Sequence, residues 1–323
     1  MSPINSLNAR LWSKLGQRGT FGITMLDLEK EIDDFMVLTA DLCSTSGLDR
    51  FRAQAPDKFL NVGIAEQNLV GISAGLAKEG YTVFATTFAN FAAMRSYEQV
   101  RLNLGYMGIP VKLVGLGSGF AMGMFGNTHY GIEDITLMRA IPNLCILSPA
   151  DCTEVVKATV AASRHPGPVY LRLTGITNNP IVNKEDYAFE IGTALTLKKG
   201  SDIAIIATGS MVHHALVAAN LLETRGISST VINMHTIKPL DTRVLEEVCK
   251  SSRRLVTVEE HSVIGGLGGA VAEYISTRSH HPPLQMIGIL DRFQKAGDYP
   301  YLLEQNGLTG PQIADRIAKL NEE

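Results

Sequence analysis

From about residue 36 the chain alternates short apolar, β-branched runs with longer stretches rich in Ala, Leu and Glu. MVLTA, TVFAT, VKLVG, LCILS and PVYLRL have the length and composition of buried strands, and a helix-like segment separates each from the next. That alternation predicts βαβ units, hence an α/β fold on a mainly parallel sheet covered by helices. Around residues 175–190, GITNNPIVNKEDYAFE breaks the pattern with Asn, Pro and charge, the composition of an interdomain linker. The pattern then restarts. DIAIIATGS reads as a buried strand ending in a Gly-Ser turn, MVHHALVAANLLETRG as a helix closed by Gly226, and TVINM, RLVTVEE and LQMIGI as further strands. Two α/β domains are expected, at residues 1–178 and 190–323, each a mainly parallel sheet covered by helices.

Composition narrows the class. A chain of 323 residues suits two domains, and 45% hydrophobic with 19% charged residues is a globular balance. The net charge of −3 gives no electrostatic reason to expect nucleic acid or a membrane surface as partner. The start, MSPINSLNARLWSKLG, has no apolar core of signal-peptide length, and no apolar run reaches the ~18 residues that span a bilayer. A cytoplasmic location is expected. Cys43, Cys145, Cys152 and Cys249 are widely spaced without a C-x-x-C pair, so buried reduced thiols are favoured over a disulfide framework or a zinc site.

Several motifs are tempting and weak. GLGSG at 115–119 and GGLGG at 265–269 complete neither a dinucleotide fingerprint nor a P-loop, so tight strand-to-helix turns are favoured. His213-His214 and His280-His281 are adjacent pairs, not the i, i+4 spacing that sets two imidazoles on one helix face, and surface or cap positions suit them better. No G-x-S-x-G elbow or nucleophilic cysteine signature supports acyl-enzyme chemistry.

NVGIAEQNLVGISAGLA, residues 61–77, is different. It carries one carboxylate, Glu66, among small and apolar residues, where a surface helix would scatter several charges. TTFANFAAMRSYEQVR follows, with Phe88 and Phe91 three apart. That spacing puts both rings on one side, where they either pack into core or form an apolar platform for a planar ligand. THYGIEDI adds His129.

Together these residues resemble the pyrimidine-binding region of the transketolase family, and the resemblance spans nearly the whole chain. GIAEQN, the Phe88/Phe91 pair, TH-x-G-I-E-D at 128–134, SPAD at 148–151, INMHTIKPLD at 232–241 and VEEHSVIGGLGGA all match. The chain looks most like the C-terminal subunit of a split transketolase and is also similar to the β subunit of thiamine-dependent pyruvate dehydrogenase. The resemblance implies thiamine diphosphate with Mg²⁺ as cofactor. It implies that Glu66 shares a proton with the cofactor's aminopyrimidine ring, since a carboxyl in apolar surroundings holds its proton more readily. Phe88, Phe91 and Met94 would line the pyrimidine, Asp41 and Leu42 would lie beside the cofactor's central part, and His129 would face the substrate as a hydrogen-bond donor or proton carrier.

The family holds the diphosphate and metal through a G-D-G motif followed by Asn, which this chain lacks; its only Gly-Asp, Gly297-Asp298, stands near the C-terminus. An N-terminal, α-like partner subunit is therefore expected to supply the diphosphate and Mg²⁺ ligands, in an α2β2 heterotetramer that is active only when both chains are present. No metal ligand is assigned to this chain.

The substrate end departs from the family pattern. Gly117 stands where the family has His, and Phe125 where an Asp reads the donor's hydroxyl. Gly175 and Phe21 stand where relatives carry phosphate-binding arginines, the second in the T-R-E-A position. With Gly117, Phe125, His129 and Gly175 around it, the substrate pocket is expected to be an apolar funnel suited to a small acyl donor. The leading expectation is transfer of a two-carbon unit between carbonyl compounds. The alternatives are the β subunit of a pyruvate-type, 2-keto-acid-using ligase or dehydrogenase, and a non-catalytic regulatory paralogue.

Overall fold

The computed structural model describes residues 4–174 and 176–322. The strands are β1 (Phe35–Thr39), β2 (Phe59–Asn61), β3 (Thr82–Phe88), β4 (Lys112–Ser118), β5 (Cys145–Leu147), β6 (Val169–Thr174), β7 (Leu195–Lys198), β8 (Ile203–Ala207), β9 (Ser229–Asn233), β10 (Thr236–Lys238), β11 (Arg254–Ser262) and β12 (Leu284–Ile289). They form a seven-stranded sheet in the order β10-β5-β6-β4-β3-β1-β2 and a five-stranded sheet in the order β12-β11-β8-β9-β7. Every pairing is parallel except those of β10 with β5 and β7 with β9. The fold is the expected α/β one: β4, β6 and β8 are buried along their whole length, as parallel strands covered on both faces must be.

Local sequence explains the helices that frame the first sheet. Asn5 caps Ser6–Glu29 by accepting from the Asn8 amide at 2.9 Å, and Asp151 caps Cys152–Arg164 by accepting from the Glu154 amide at 2.8 Å. The first of these helices breaks at Gly16 (φ 76°) and then runs directly over the loop after β1. A Cβ on Gly22 would stand 2.0 Å from the Gly47 carbonyl oxygen, so only glycine allows that approach.

Two features depart from the expected organisation. The segment read as a linker is pinned: the Val182 and Asn183 amides donate to Asp151 Oδ2 at 2.8 and 2.6 Å, and the Tyr187 hydroxyl donates to Glu154 Oε1 at 2.6 Å. Burial, with Glu154 nearby, pushes the Asp151 carboxyl up to about 6. The second is β10, from the INMHTIKPLD motif. It lies beyond residue 190 in sequence yet pairs antiparallel with β5, where it covers what would otherwise be an open edge of the first sheet.

The two sheets meet at a buried polar seam. Arg172 on β6 donates through Nε to Asp134 Oδ2 at 2.8 Å and through Nη2 to the Gly131 and Glu260 carbonyls, each at 3.0 Å. Tyr170 donates its hydroxyl to the same Asp134 oxygen at 2.8 Å. The GGLGG stretch is the tight turn expected, and its helix N-terminus is already occupied: Glu259 accepts from the Leu267 and Gly268 amides at 2.6 and 2.8 Å. Cys43, Cys145 and Cys152 are buried free thiols and Cys249 is partly buried. His213 and His214, expected at surface or cap positions, stand in the first turn of the helix Met211–Glu223 and are half-buried. Among the described residues no helix is long and apolar enough to cross a membrane.

Candidate active site

The neighbours β4, β3, β1 and β2 run parallel, so their carboxyl ends share one edge of the sheet. Chain order reverses at β1, with β2 on one side and β3 on the other, and such a reversal opens a crevice outside the strand ends. The expected residues gather along that edge. Asp41 and Leu42 follow β1, Glu66 opens the helix Glu66–Lys78 after β2, Phe88 ends β3, and the loop after β4 carries Phe125 and His129.

Glu66 is 3% exposed and far from alone, contrary to the expectation from its apolar flanks. Arg95 Nη1 stands 2.8 Å from Glu66 Oε1, and Arg95 Cζ lies over the Phe91 ring, 4.2 Å from its centroid. Sequence patterning missed this partner because Arg95, at the end of the π-helical turn Phe91–Arg95, lies 29 positions from Glu66 in the chain and meets it only in the fold. The other carboxylate oxygen, Oε2, is buried without a partner among the described residues. A buried carboxylate oxygen without a donor is costly unless a ligand supplies one.

Beside it the rings form a wall. Phe88 and Phe91 meet edge to face with centroids 5.9 Å apart. His129 packs against Phe91 at 5.4 Å, Phe88 at 6.0 Å and Phe125 at 5.0 Å, and its Nδ1 lies 2.9 Å from the Thr128 hydroxyl. Met94, on the same turn as Arg95, is 48% exposed. Asp41 adopts the left-handed backbone (φ 59°), which is unfavourable for a side chain other than glycine. A reciprocal pair holds it there: the Asp41 amide donates to Asn61 Oδ1 at 3.0 Å, and Asn61 Nδ2 donates back to Asp41 Oδ1 at 2.9 Å.

A cavity of about 580 Å³ opens beyond the wall, lined by Arg18, Phe88, Met122, Met124, Phe125 and Tyr299 among others. Here the structure corrects two expectations. Gly117 (φ 64°) does not face the funnel, because Met122 lies over it; a Cβ there would meet Met122 Cγ at 2.8 Å. Nor is the funnel free of cations. Phe21 is fully buried against Phe84, while Arg18, three residues earlier on the same helix, lines the cavity. Burial holds its guanidinium below the usual arginine value, and among the described residues no carboxylate offsets it. The signal was present as R-G-T-F-G, one helical turn before the position read from sequence. Gly175 lies outside the described residues.

Among the described residues no group of three or more His, Cys, Asp or Glu side chains is arranged to hold a metal ion. Among the described residues the edge therefore presents a buried carboxylate with one unpartnered oxygen beside an aromatic wall.

Residues 13–177 match the family model described as transketolase, pyrimidine binding domain, and residues 192–313 match that described as transketolase, C-terminal domain. The chain is 37% identical over 307 residues to the 6-deoxy-6-sulfo-D-fructose transketolase subunit SqwH of Clostridium sp. (strain MSTE9), covering 94% of each. It is 37% identical over 292 residues to one of the subunits of the apulose-4-phosphate transketolase of Phocaeicola vulgatus, covering 90% of this chain and 93% of that one. Among solved structures, a split-gene transketolase described as an inactive beta4 tetramer superposes with a TM-score of 0.85 at 39% identity, covering 94% of this chain and 97% of that one.

Proposed function

The chain belongs to the transketolase family, and on that premise we propose that it is the C-terminal subunit of a two-chain, thiamine-diphosphate-dependent transketolase. The observation that carries this reading is Glu66 Oε2, a buried acceptor without a donor at the rim of the Phe88–Phe91 wall. A pyrimidine ring nitrogen meets that need. Phe88 and Phe91 would hold the ring, Met94 would extend the wall, and Asp41 and Leu42 would lie beside the cofactor's central part. Thiamine diphosphate, when bound, supplies a nucleophilic carbon and an electron sink for carbon–carbon cleavage.

Within this chain Glu66 holds and returns a proton, and Arg95 fixes the carboxylate's orientation through Oε1. His129, positioned by Thr128 and three rings, donates to or moves a proton at the substrate's oxygen. No group of three or more His, Cys, Asp or Glu side chains among the described residues is arranged to hold a metal ion, which supports an N-terminal partner chain that supplies the metal and diphosphate site, in an α2β2 complex in the cytoplasm. Ile64 and Met94, 75% and 48% exposed beside Glu66, make an apolar rim suited to burial under that partner. The complex would move a two-carbon unit between carbonyl compounds. The test is reconstitution with a separately encoded N-terminal chain, thiamine diphosphate and Mg²⁺, followed by assay of two-carbon transfer.

Arg18 shifts the substrate class away from an apolar acyl donor such as pyruvate. A half-buried guanidinium with no ion-pair partner among the described residues, at a funnel that Asp298 also lines, suits the anionic end of a sugar derivative, and the two relatives above are named for a sulfonated and a phosphorylated sugar. In the reconstituted complex, Arg18→Ala is expected to raise KM for a phosphorylated or sulfonated substrate about 10- to 100-fold, the worth of one charge-assisted hydrogen bond. KM for an uncharged short aldehyde should move little. An equal loss for charged and uncharged substrates would remove Arg18 from this role.

A further inference from the structure

The funnel is not built by the first sheet's domain alone. Gly297, Asp298, Tyr299 and Pro300, which follow β12, form one side of the cavity whose other side carries Arg18 and Phe125. Hydrogen bonds join this segment to the loop that carries the substrate-facing residues. Asn127 Nδ2 donates to the Gln294 carbonyl at 2.7 Å, and the Gln294 amide donates to Asn127 Oδ1 at 3.0 Å. The Gly297 amide donates to the Gly123 carbonyl at 3.2 Å. The Tyr130 hydroxyl lies 2.9 Å from the Gly123 carbonyl and 2.8 Å from that of Lys295.

Behind both segments stands Glu260, buried near the end of β11. Its Oε1 accepts from the Phe120 amide at 2.6 Å, and its Oε2 accepts from the Tyr299 hydroxyl at 2.7 Å and from the Ser210 hydroxyl. The fit is close: a Cβ on Gly119 would stand 2.2 Å from Glu260 Oε1, and one on Gly123 would stand 2.3 Å from the Gly297 carbonyl oxygen.

What holds residues 291–298 in place is therefore polar contact with the funnel loop, since burial contributes little there. Leu290 and Phe293 are 50% and 91% exposed, and no regular structure intervenes between β12 and the helix Tyr299–Gln305. A segment fixed by exposed hydrogen bonds shifts more readily than a packed one. Its shift would carry Phe125 with it through Asn127, two residues along the loop.

We infer that residues 297–300 are a substrate-selecting wall of the funnel, and that Asn127, through Gln294, is the positioning residue that registers this wall against Phe125. The inference rests on the proposed function and extends it: acceptors are sorted by how much length and bulk fit between His129 and the segment from the C-terminal region. Asn127 itself does not line the cavity and is exposed, so its substitution leaves the fold intact.

The test uses Asn127→Ala, with Asn127→Asp as a partial rescue that keeps the acceptor for the Gln294 amide. Amide hydrogen exchange on this chain should rise at least about 10-fold within 119–131 and 292–298 for Asn127→Ala, and less for Asn127→Asp. In the two-chain complex, KM ratios across a series of phosphorylated aldehydes of increasing length should compress by about 5-fold, while kcat for the shortest stays the same. Faster exchange with unchanged KM ratios would make the contact a structural tie only and overturn the inference, as would unchanged exchange. Absence of any transfer by the unaltered complex is a separate outcome; it overturns the proposed function and this inference with it.

Discussion

Glu66→Gln is expected to lower turnover of the reconstituted complex by about 10²- to 10⁴-fold, the range that a positioned proton donor and acceptor contributes, while the chain stays folded. The amide keeps the volume of the side chain and a polar contact for Arg95, whose own side chain is 47% exposed and so is not stranded in a dry site. Oε2 has no hydrogen-bond partner among the described residues, so the fold loses no such contact at that atom. What disappears is the capacity to accept and return a proton at a fixed point beside the aromatic wall. Initial rates at saturating thiamine diphosphate, together with an unfolding midpoint near that of the unaltered chain, separate this from misfolding. Undiminished turnover would remove Glu66 from the chemistry.

The largest effect on stability is expected at the seam between the sheets. Arg172 and Asp134 are 1% and 0% exposed, and their pair is supplemented by the Tyr170 hydroxyl and by two carbonyls that accept from Arg172. Removing one partner leaves a buried charge without compensation, which costs about 3–5 kcal/mol. Asp134→Ala should therefore lower unfolding free energy by about that amount. Combining it with Arg172→Met should cost clearly less than the sum of the two single changes, because the second substitution removes the stranded cation. Urea unfolding of the two single variants and the double variant checks both statements. A loss under about 1 kcal/mol for Asp134→Ala would mean that water reaches the seam.

The sequence disclosed what depends on periodicity and short spacing. Alternating apolar runs marked the parallel strands, and the three-residue step from Phe88 to Phe91 marked a wall that His129 joins in space. Contacts that depend on backbone irregularity were hidden. Arg95 meets Glu66 across 29 positions of chain, and Met122 folds back over Gly117 where the chain leaves β4 through glycines at positive φ, neither of which a hydrophobic pattern encodes. Arg18 was obscured for a simpler reason. Positions three apart on a helix occupy neighbouring places on its surface, and only burial distinguishes the packed Phe21 from the cavity-lining arginine. The strand β10 has three residues, too few for a period to show, and its pairing to the first sheet is set by the open edge of β5.

If one active site is divided between two chains, with this chain supplying the proton relay and the substrate funnel, neither chain works alone. The decisive measurement is two-carbon transfer from a ketose donor to an anionic aldehyde, in the presence of thiamine diphosphate and Mg²⁺, by this chain alone, by the separately encoded N-terminal chain alone, and by the two combined. Transfer only in the combined sample, abolished by chelating the metal and reduced by Glu66→Gln, is the predicted result. Full transfer by this chain without its partner, or none from the combined sample when both chains are folded and associated, would contradict it.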